Sequence, residues 1–118
     1  MPSEREPRRD VILAVDIDAI QFSTGLVTFR GDLLDRSRAD VEIDVGPQSH
    51  FSALARIVGE QMDQARDQHD VRVRAIGVSC PGPIEPNCDS VSPTGLPSWR
   101  RFPLRQHLSD LTNLPVFG

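Results

Sequence analysis

No lysine and no tyrosine occur among the 118 residues, and cysteine is confined to Cys80 and Cys88. All 13 basic residues are therefore arginines. A guanidinium forms no Schiff base, so imine chemistry and a lysine phosphate clamp are both excluded. Two cysteines do not make a disulfide framework or a metal centre, and Cys80, closing an apolar run, reads as a buried structural thiol. No apolar run approaches the ~20 residues that span a bilayer, and the polar stretch from Met1 to Asp10 is not a signal peptide. A basic stripe is lacking too: net charge is −4, and the one arginine cluster, Arg5, Arg8 and Arg9, lies in that polar start. Neither a nucleic-acid nor a membrane partner is expected, and the location expected is cytoplasmic.

What remains is a soluble α/β pattern, with 38% hydrophobic and 25% charged residues fitting one globular domain. Residues 1–10 read as a disordered polar tail and residues 11–118 as the domain. Val11 to Ile17 is a short, β-branched run that suggests a strand covered on both faces. Gln21 to Phe29 is a second strand-like run, and Arg30-Gly31-Asp32 is the turn of a hairpin into a third. From Leu33 to Ile43 charges interrupt the apolar pattern, as on an edge strand that must not pair further. Gly46-Pro47 ends this segment, and Ser49 or Ser52 is placed to cap a helix. Phe51, Leu54, Val58, Met62 and Ala65, with Ile57 beside them, recur at helical spacing and give that helix one apolar face.

Val71 to Cys80 returns as a strand. One helix between two strands is a crossover, so this strand is expected parallel to its partner. It stops at the corner Pro81-Gly82-Pro83, which fixes its last backbone groups at the carboxyl edge of the sheet, where open α/β sheets bind ligands. Pro83 to Pro97 is a stiff loop with a short hairpin expected around Ser90 to Ser92. Leu104 to Leu111 is a second, shorter helix, with Leu104, Leu108 and Leu111 on one face, and Pro115 to Gly118 opens a last, truncated strand. His50, His69 and His107 are scattered, without partners at metal spacing, and read as surface histidines. No metal site is expected.

The order hairpin, third strand, helix, parallel strand is that of the actin-like, ribonuclease-H-like ATPase domain. Val11–Ile17, Ala75–Ile84, Ser92–Trp99 and Leu114–Phe117 together resemble the amino-terminal domain of the ROK family (repressor, open reading frame, kinase). That family holds bacterial glucokinases, fructokinases, N-acetylmannosamine kinases and sugar-responsive repressors. The resemblance implies a hexose or amino sugar as partner and ATP with magnesium as cofactor. It also implies a second lobe beyond the residues present, so self-association or a separate second lobe is expected.

Family members end the first strand in Asp-x-Gly-Gly-Thr, whose glycines let the backbone close on ATP phosphates. Here the string is Asp16-Ile17-Asp18-Ala19-Ile20. Asp16 matches the family aspartate, whereas Asp18 and Ala19 replace the glycines and Ile20 the threonine. A carboxylate at Asp18 repels phosphate, and side chains restrict the close approach that glycine allows. Asp16 and Asp18 are therefore the expected phosphate and magnesium residues of a degenerate turn. Gly82 and Pro83 match the family corner beside the sugar, Thr94 lies near a sugar-contacting position, and Trp99 matches a recurrent tryptophan expected to pack in the core. The family's general base, an aspartate of an Asn-Asp pair, would follow Phe117, so no catalytic residue is expected here. The reading is an incompetent amino-terminal lobe of a sugar kinase; the alternatives are a non-enzymatic sugar-binding or interaction remnant and a gene fragment.

Overall fold

The computed structural model describes residues 9–43, 45–82, 90–93 and 95–118. Five strands form one sheet in the order β3-β2-β1-β4-β5. β1 (Arg9–Ile17) pairs antiparallel with β2 (Gln21–Thr28), which pairs antiparallel with β3 (Leu33–Asp40). β4 (Val71–Ser79) runs parallel to β1, and the two-residue β5 (Val116–Phe117) runs parallel to β4. The mixed sheet, with β3 at its edge and the crossover parallel, is the expected fold class. β1 starts at Arg9, earlier than the apolar run suggested, because Arg9 and Asp10 pair with Val71 and Arg72.

The hairpin turn works as its sequence dictates. Gly31 adopts φ +93, and its amide donates to the Thr28 carbonyl at 2.9 Å. The Thr28 hydroxyl accepts the Asp32 amide at 3.0 Å, which closes the turn. Phe29 falls beyond β2 and is exposed.

One face of the sheet carries the core. Val11, Leu13, Val15 and Ile17 on β1 stand beside Phe22, Thr24 and Leu26 on β2, and all are buried. The opposite face is more open: Ile12 and Ala14 are half-buried and Asp16 is exposed. β1 is thus covered on one face, not on both as its unbroken apolar run suggested. Small residues make that run ambiguous, because Ala14 reads as apolar wherever it points.

Helix α1 (Pro47–Asp67) covers the buried face, packing across β2, β3 and β4. Its start corrects the capping expectation. Gly46 is the N-cap, Pro47 takes the first turn, and neither Ser49 nor Ser52 caps anything. Proline suits that position because its fixed φ is helical and its missing N–H has no partner to lose. The buried side chains are His50, Leu54, Ile57, Val58, Gln61 and Ala65, while Phe51 and Met62 are only half-buried. Gln61 is fully buried beneath the sheet, where its Oε1 accepts the Thr24 hydroxyl at 2.9 Å and its Nε2 donates to Gln64 at 2.6 Å. Burial of a polar pair is tolerated when each member is bonded, and leaving one unbonded costs about 1–3 kcal/mol. At the far end, His69 meets the Asp35 carboxylate at 2.9 Å, which ties the helix exit to the edge strand.

Helix α2 (Leu104–Thr112) buries Leu104 and Leu108 beside β5, whereas Leu111 is 44% exposed and lies off that face. Asn113 closes the helix in the left-handed region at φ +59. Val91 bridges Phe102 with both amide–carbonyl bonds at 2.9 Å, while the hairpin expected around Ser90 to Ser92 extends into residues 83–89 and 94, outside the described residues.

Candidate functional site

Parallel β1 and β4 end side by side, with Asp16 aligned to Ser79 and, across the hairpin, to Ser23. The carboxyl edge of the sheet therefore gathers the β1–β2 turn, the Pro81-Gly82 corner and, through Ala19, the loop 95–99. Asp16, Asp18 and Gly82 are brought to this one edge. Pro83 and Thr94, the other expected sugar contacts, lie outside the described residues, as does Cys88.

Gly82 has φ +87 directly after Pro81. Glycine takes that left-handed conformation without the strain a Cβ would bring. Cys80, before the corner, is half-buried against the core and less enclosed than its apolar neighbours suggested.

The β1–β2 turn is built without glycine. Among the described non-glycine residues, positive φ is confined to Asp70, Arg101 and Asn113, so Asp18 and Ala19 turn the chain in ordinary conformations. The Asp18 carboxylate accepts the Ile20 amide at 2.9 Å. An acidic oxygen thus occupies an amide that would otherwise face outward, and Ile20 itself is 76% exposed. Phosphate oxygens need amide donors and positive potential, and this turn presents a negative group instead. Asp16 is exposed on the open face of the sheet and borders a cleft of about 170 Å³ that Arg36 also lines. One carboxylate between two serines can hold water or a weak cation, but the turn beside it does not fit the phosphates of ATP. Among the described residues, no group of three or more histidine, cysteine or acidic side chains is placed to hold a metal ion.

The loop 95–99 is the opposite case. Gly95 has φ +82, and a Cβ built on it would stand 2.7 Å from the Ala19 Cβ, so the two loops touch here with no room for a side chain. Trp99 is fully buried, stacked against Phe102 at 4.4 Å and Phe22 at 5.4 Å, and its Nε1 donates to the Pro47 carbonyl at 3.1 Å. With no surface left exposed, Trp99 packs the core and offers no platform to a sugar. His50 is also buried, not at the surface as its sequence context suggested. Its Nδ1 meets the Ser98 hydroxyl and its Nε2 the Glu42 carbonyl. Helical spacing could have flagged it, because His50 precedes Leu54 by four and Ile57 by seven on the buried face.

Between these loops and the β3–α1 connection lies a cleft of about 590 Å³, bordered by Ala19, Glu42, His50, Gly95 and Ser98. That volume is in the range that takes a small ligand. Away from this edge, on the solvent face of α1, Arg66 donates to Asp67 and Asp63, which holds its guanidinium above the ordinary range. The same bond holds the Asp67 carboxyl below its own. These are solvated ion pairs and mark no site. No helix among the described residues is long and apolar enough to cross a membrane.

The family model described as "ROK family" matches residues 12–118. No curated protein matches the chain. Among solved structures, a ROK family glucokinase from Streptomyces griseus, in complex with glucose and AMPPNP, superposes with a TM-score of 0.75 at 20% identity; the match covers 91% of this chain and 32% of that one. A glucokinase from Parabacteroides distasonis gives 0.78 at 17% identity, covering 93% of this chain and 30% of that one. A ROK family transcriptional regulator, a homologue of the Escherichia coli MLC protein, gives 0.75 at 20% identity over 92% of this chain and 27% of that one. The chain therefore spans about a third of the length of these structures.

Proposed function

The chain belongs to the ROK family, and we propose that it is the sugar-facing part of an amino-terminal kinase lobe that has lost its grip on phosphate. The parent activity is ATP-dependent phosphorylation of a hexose or amino sugar. This chain by itself binds the sugar weakly, in the cytoplasm, and does not transfer phosphate. The observation that carries the reading is the contrast at one sheet edge. The Pro81-Gly82 corner keeps the left-handed glycine that shapes the sugar side, while the neighbouring turn holds its own amide with the Asp18 carboxylate. Phosphoryl transfer rests on positioning the nucleophile and neutralising the phosphates, and the second of these is reversed in sign here.

The contrast equally supports a second reading, a sugar-responsive binding module with no catalytic role. Apolar side chains standing in solvent, Ile20, Ile43 and Phe117 among them, support partnership with further protein surface in either case. Thermal-shift and calorimetric titrations with glucose and N-acetylmannosamine, each with and without magnesium ATP, test the proposal. A response to a sugar and none to magnesium ATP is expected. Sugar phosphorylation above blank in a coupled assay would overturn the loss of transfer, and silence toward every sugar would overturn the binding.

A further inference from the structure

The cleft of about 590 Å³ beside the loop 95–99 combines apolar walls with polar side chains that accept hydrogen bonds and do not donate them. Ala19, Val41 and Val45 supply one part of the wall and Leu96 another. Among the described residues its polar members are Glu42, His50 and Ser98. A carbonyl oxygen only accepts, so the bond between the His50 ring and the Glu42 carbonyl requires a proton on Nε2. In the neutral ring Nδ1 is then an acceptor, and the Ser98 hydroxyl donates its one hydrogen there. Both nitrogens of His50 are thereby used, and the ring is only 5% exposed. What Ser98 has left for a ligand is the lone pairs of its oxygen. Glu42 is exposed at the rim, and an ionised carboxylate is an acceptor only.

The charges nearby have the same sign as that rim. Asp18 and Asp40 adjoin the wall residues Ala19 and Val41 in the chain, and both are exposed. The chain has no lysine. The arginine beside the loop is Arg100, and its Nη1 is committed to the carbonyls of Leu96 at 3.2 Å and Trp99 at 3.1 Å. A ligand that brings acceptors, such as a carboxylate or a phosphate, meets neither a side-chain donor nor a favourable potential here. A ligand that brings donors and positive charge meets both of its needs.

We propose that this cleft is a binding site for a compact aliphatic amine in its ammonium form. Its hydrocarbon body lies on Val41, Val45 and Leu96, and its N–H groups are donated to the Glu42 carboxylate and the Ser98 oxygen. An ammonium has three donors and no acceptor, which is the complement of this lining. Glu42 is the residue that selects the head group, and the apolar wall holds the body whatever its charge. Gly82, the described residue of the sugar corner, is not among those that line the cleft, so this site is additional to the sugar reading and does not rest on it.

Three ligands built on one ring test the proposal: cyclohexylammonium, cyclohexanol and cyclohexanecarboxylate. Each would be titrated into the 118-residue chain by ligand-observed NMR at about pH 8, where an alkylamine is charged and a histidine neutral. The ammonium is expected to bind about fivefold more tightly than the alcohol, as an exposed ion pair allows, and the carboxylate more weakly than either. Salt at about 1 M should remove most of that preference. Glu42→Gln, a change at an exposed position, should bring the ammonium down to the level of the alcohol and leave the alcohol as it was. Val45→Thr swaps one wall methyl for a hydroxyl at constant volume, and should weaken all three ligands by about fourfold. A carboxylate that binds as tightly as the ammonium, a preference that survives Glu42→Gln, or no binding of the ring in any form overturns the site. A glucose titration is read separately: its silence counts against the sugar reading and leaves this site standing.

Discussion

Two loops meet where Ala19 touches Gly95, and they have been treated very differently. The turn 18–20 is short, solvated and self-satisfied. Its one polar side chain bonds its own backbone, and its apolar residue, Ile20, stands in water. The loop 95–99 is anchored into the protein by a buried indole, a buried imidazole and a contact too close for a Cβ. A loop that serves only a ligand can lose its chemistry without disturbing the fold. A loop that also fills the core cannot, because its side chains are part of the packing. The difference lies in what each segment meets, solvent for the turn and the core for the loop.

Breaking the anchored loop is expected to have the largest effect. Trp99→Ala removes both stacking contacts and an indole hydrogen bond, and should cost about 3–5 kcal/mol in denaturant unfolding. A loss below about 1 kcal/mol would show that the loop is not part of the core. Next comes the contact itself. Gly95→Ala meets both a left-handed backbone and the Ala19 methyl, and should cost about 1–3 kcal/mol. Adding Ala19→Gly should recover the part due to the clash and leave the backbone part, so the double variant measures how far the two loops are coupled. No recovery at all would place the whole cost in the backbone. The smallest effect belongs to the turn. Asp18→Ala exposes the Ile20 amide to water and should change stability by roughly 0.5 kcal/mol or less. A large loss there would mean that the turn is as structural as its neighbour.

The architecture was legible because it rests on local signals. The hairpin turn at Gly31, the charges along β3, the apolar period of α1 and the parallel return of β4 each follow from the spacing of residues and from turn chemistry. The departures from it have separate causes. Ser49 and Ser52 are good caps in isolation, but Pro47 opened the helix earlier. Leu111 keeps the helical period of Leu104 and Leu108, yet it is 44% exposed while those two are buried. At Pro47 one local signal outranked another, and at Leu111 the tertiary packing left part of a local pattern uncovered.

The candidate site divides in the same way. The charge at Asp18 and the side chains of Ala19 and Ile20 are visible in the string of letters, because charge and a Cβ are properties of single residues. The chain order likewise sets which strands run parallel, and so which loops share the carboxyl edge. The partners of His50, Gln61 and Trp99 were decided by tertiary structure alone. A polar side chain can be buried only where partners from other elements meet it, and Ser98, Glu42, Thr24 and Pro47 come together only when the sheet, α1 and the loop have closed on one another.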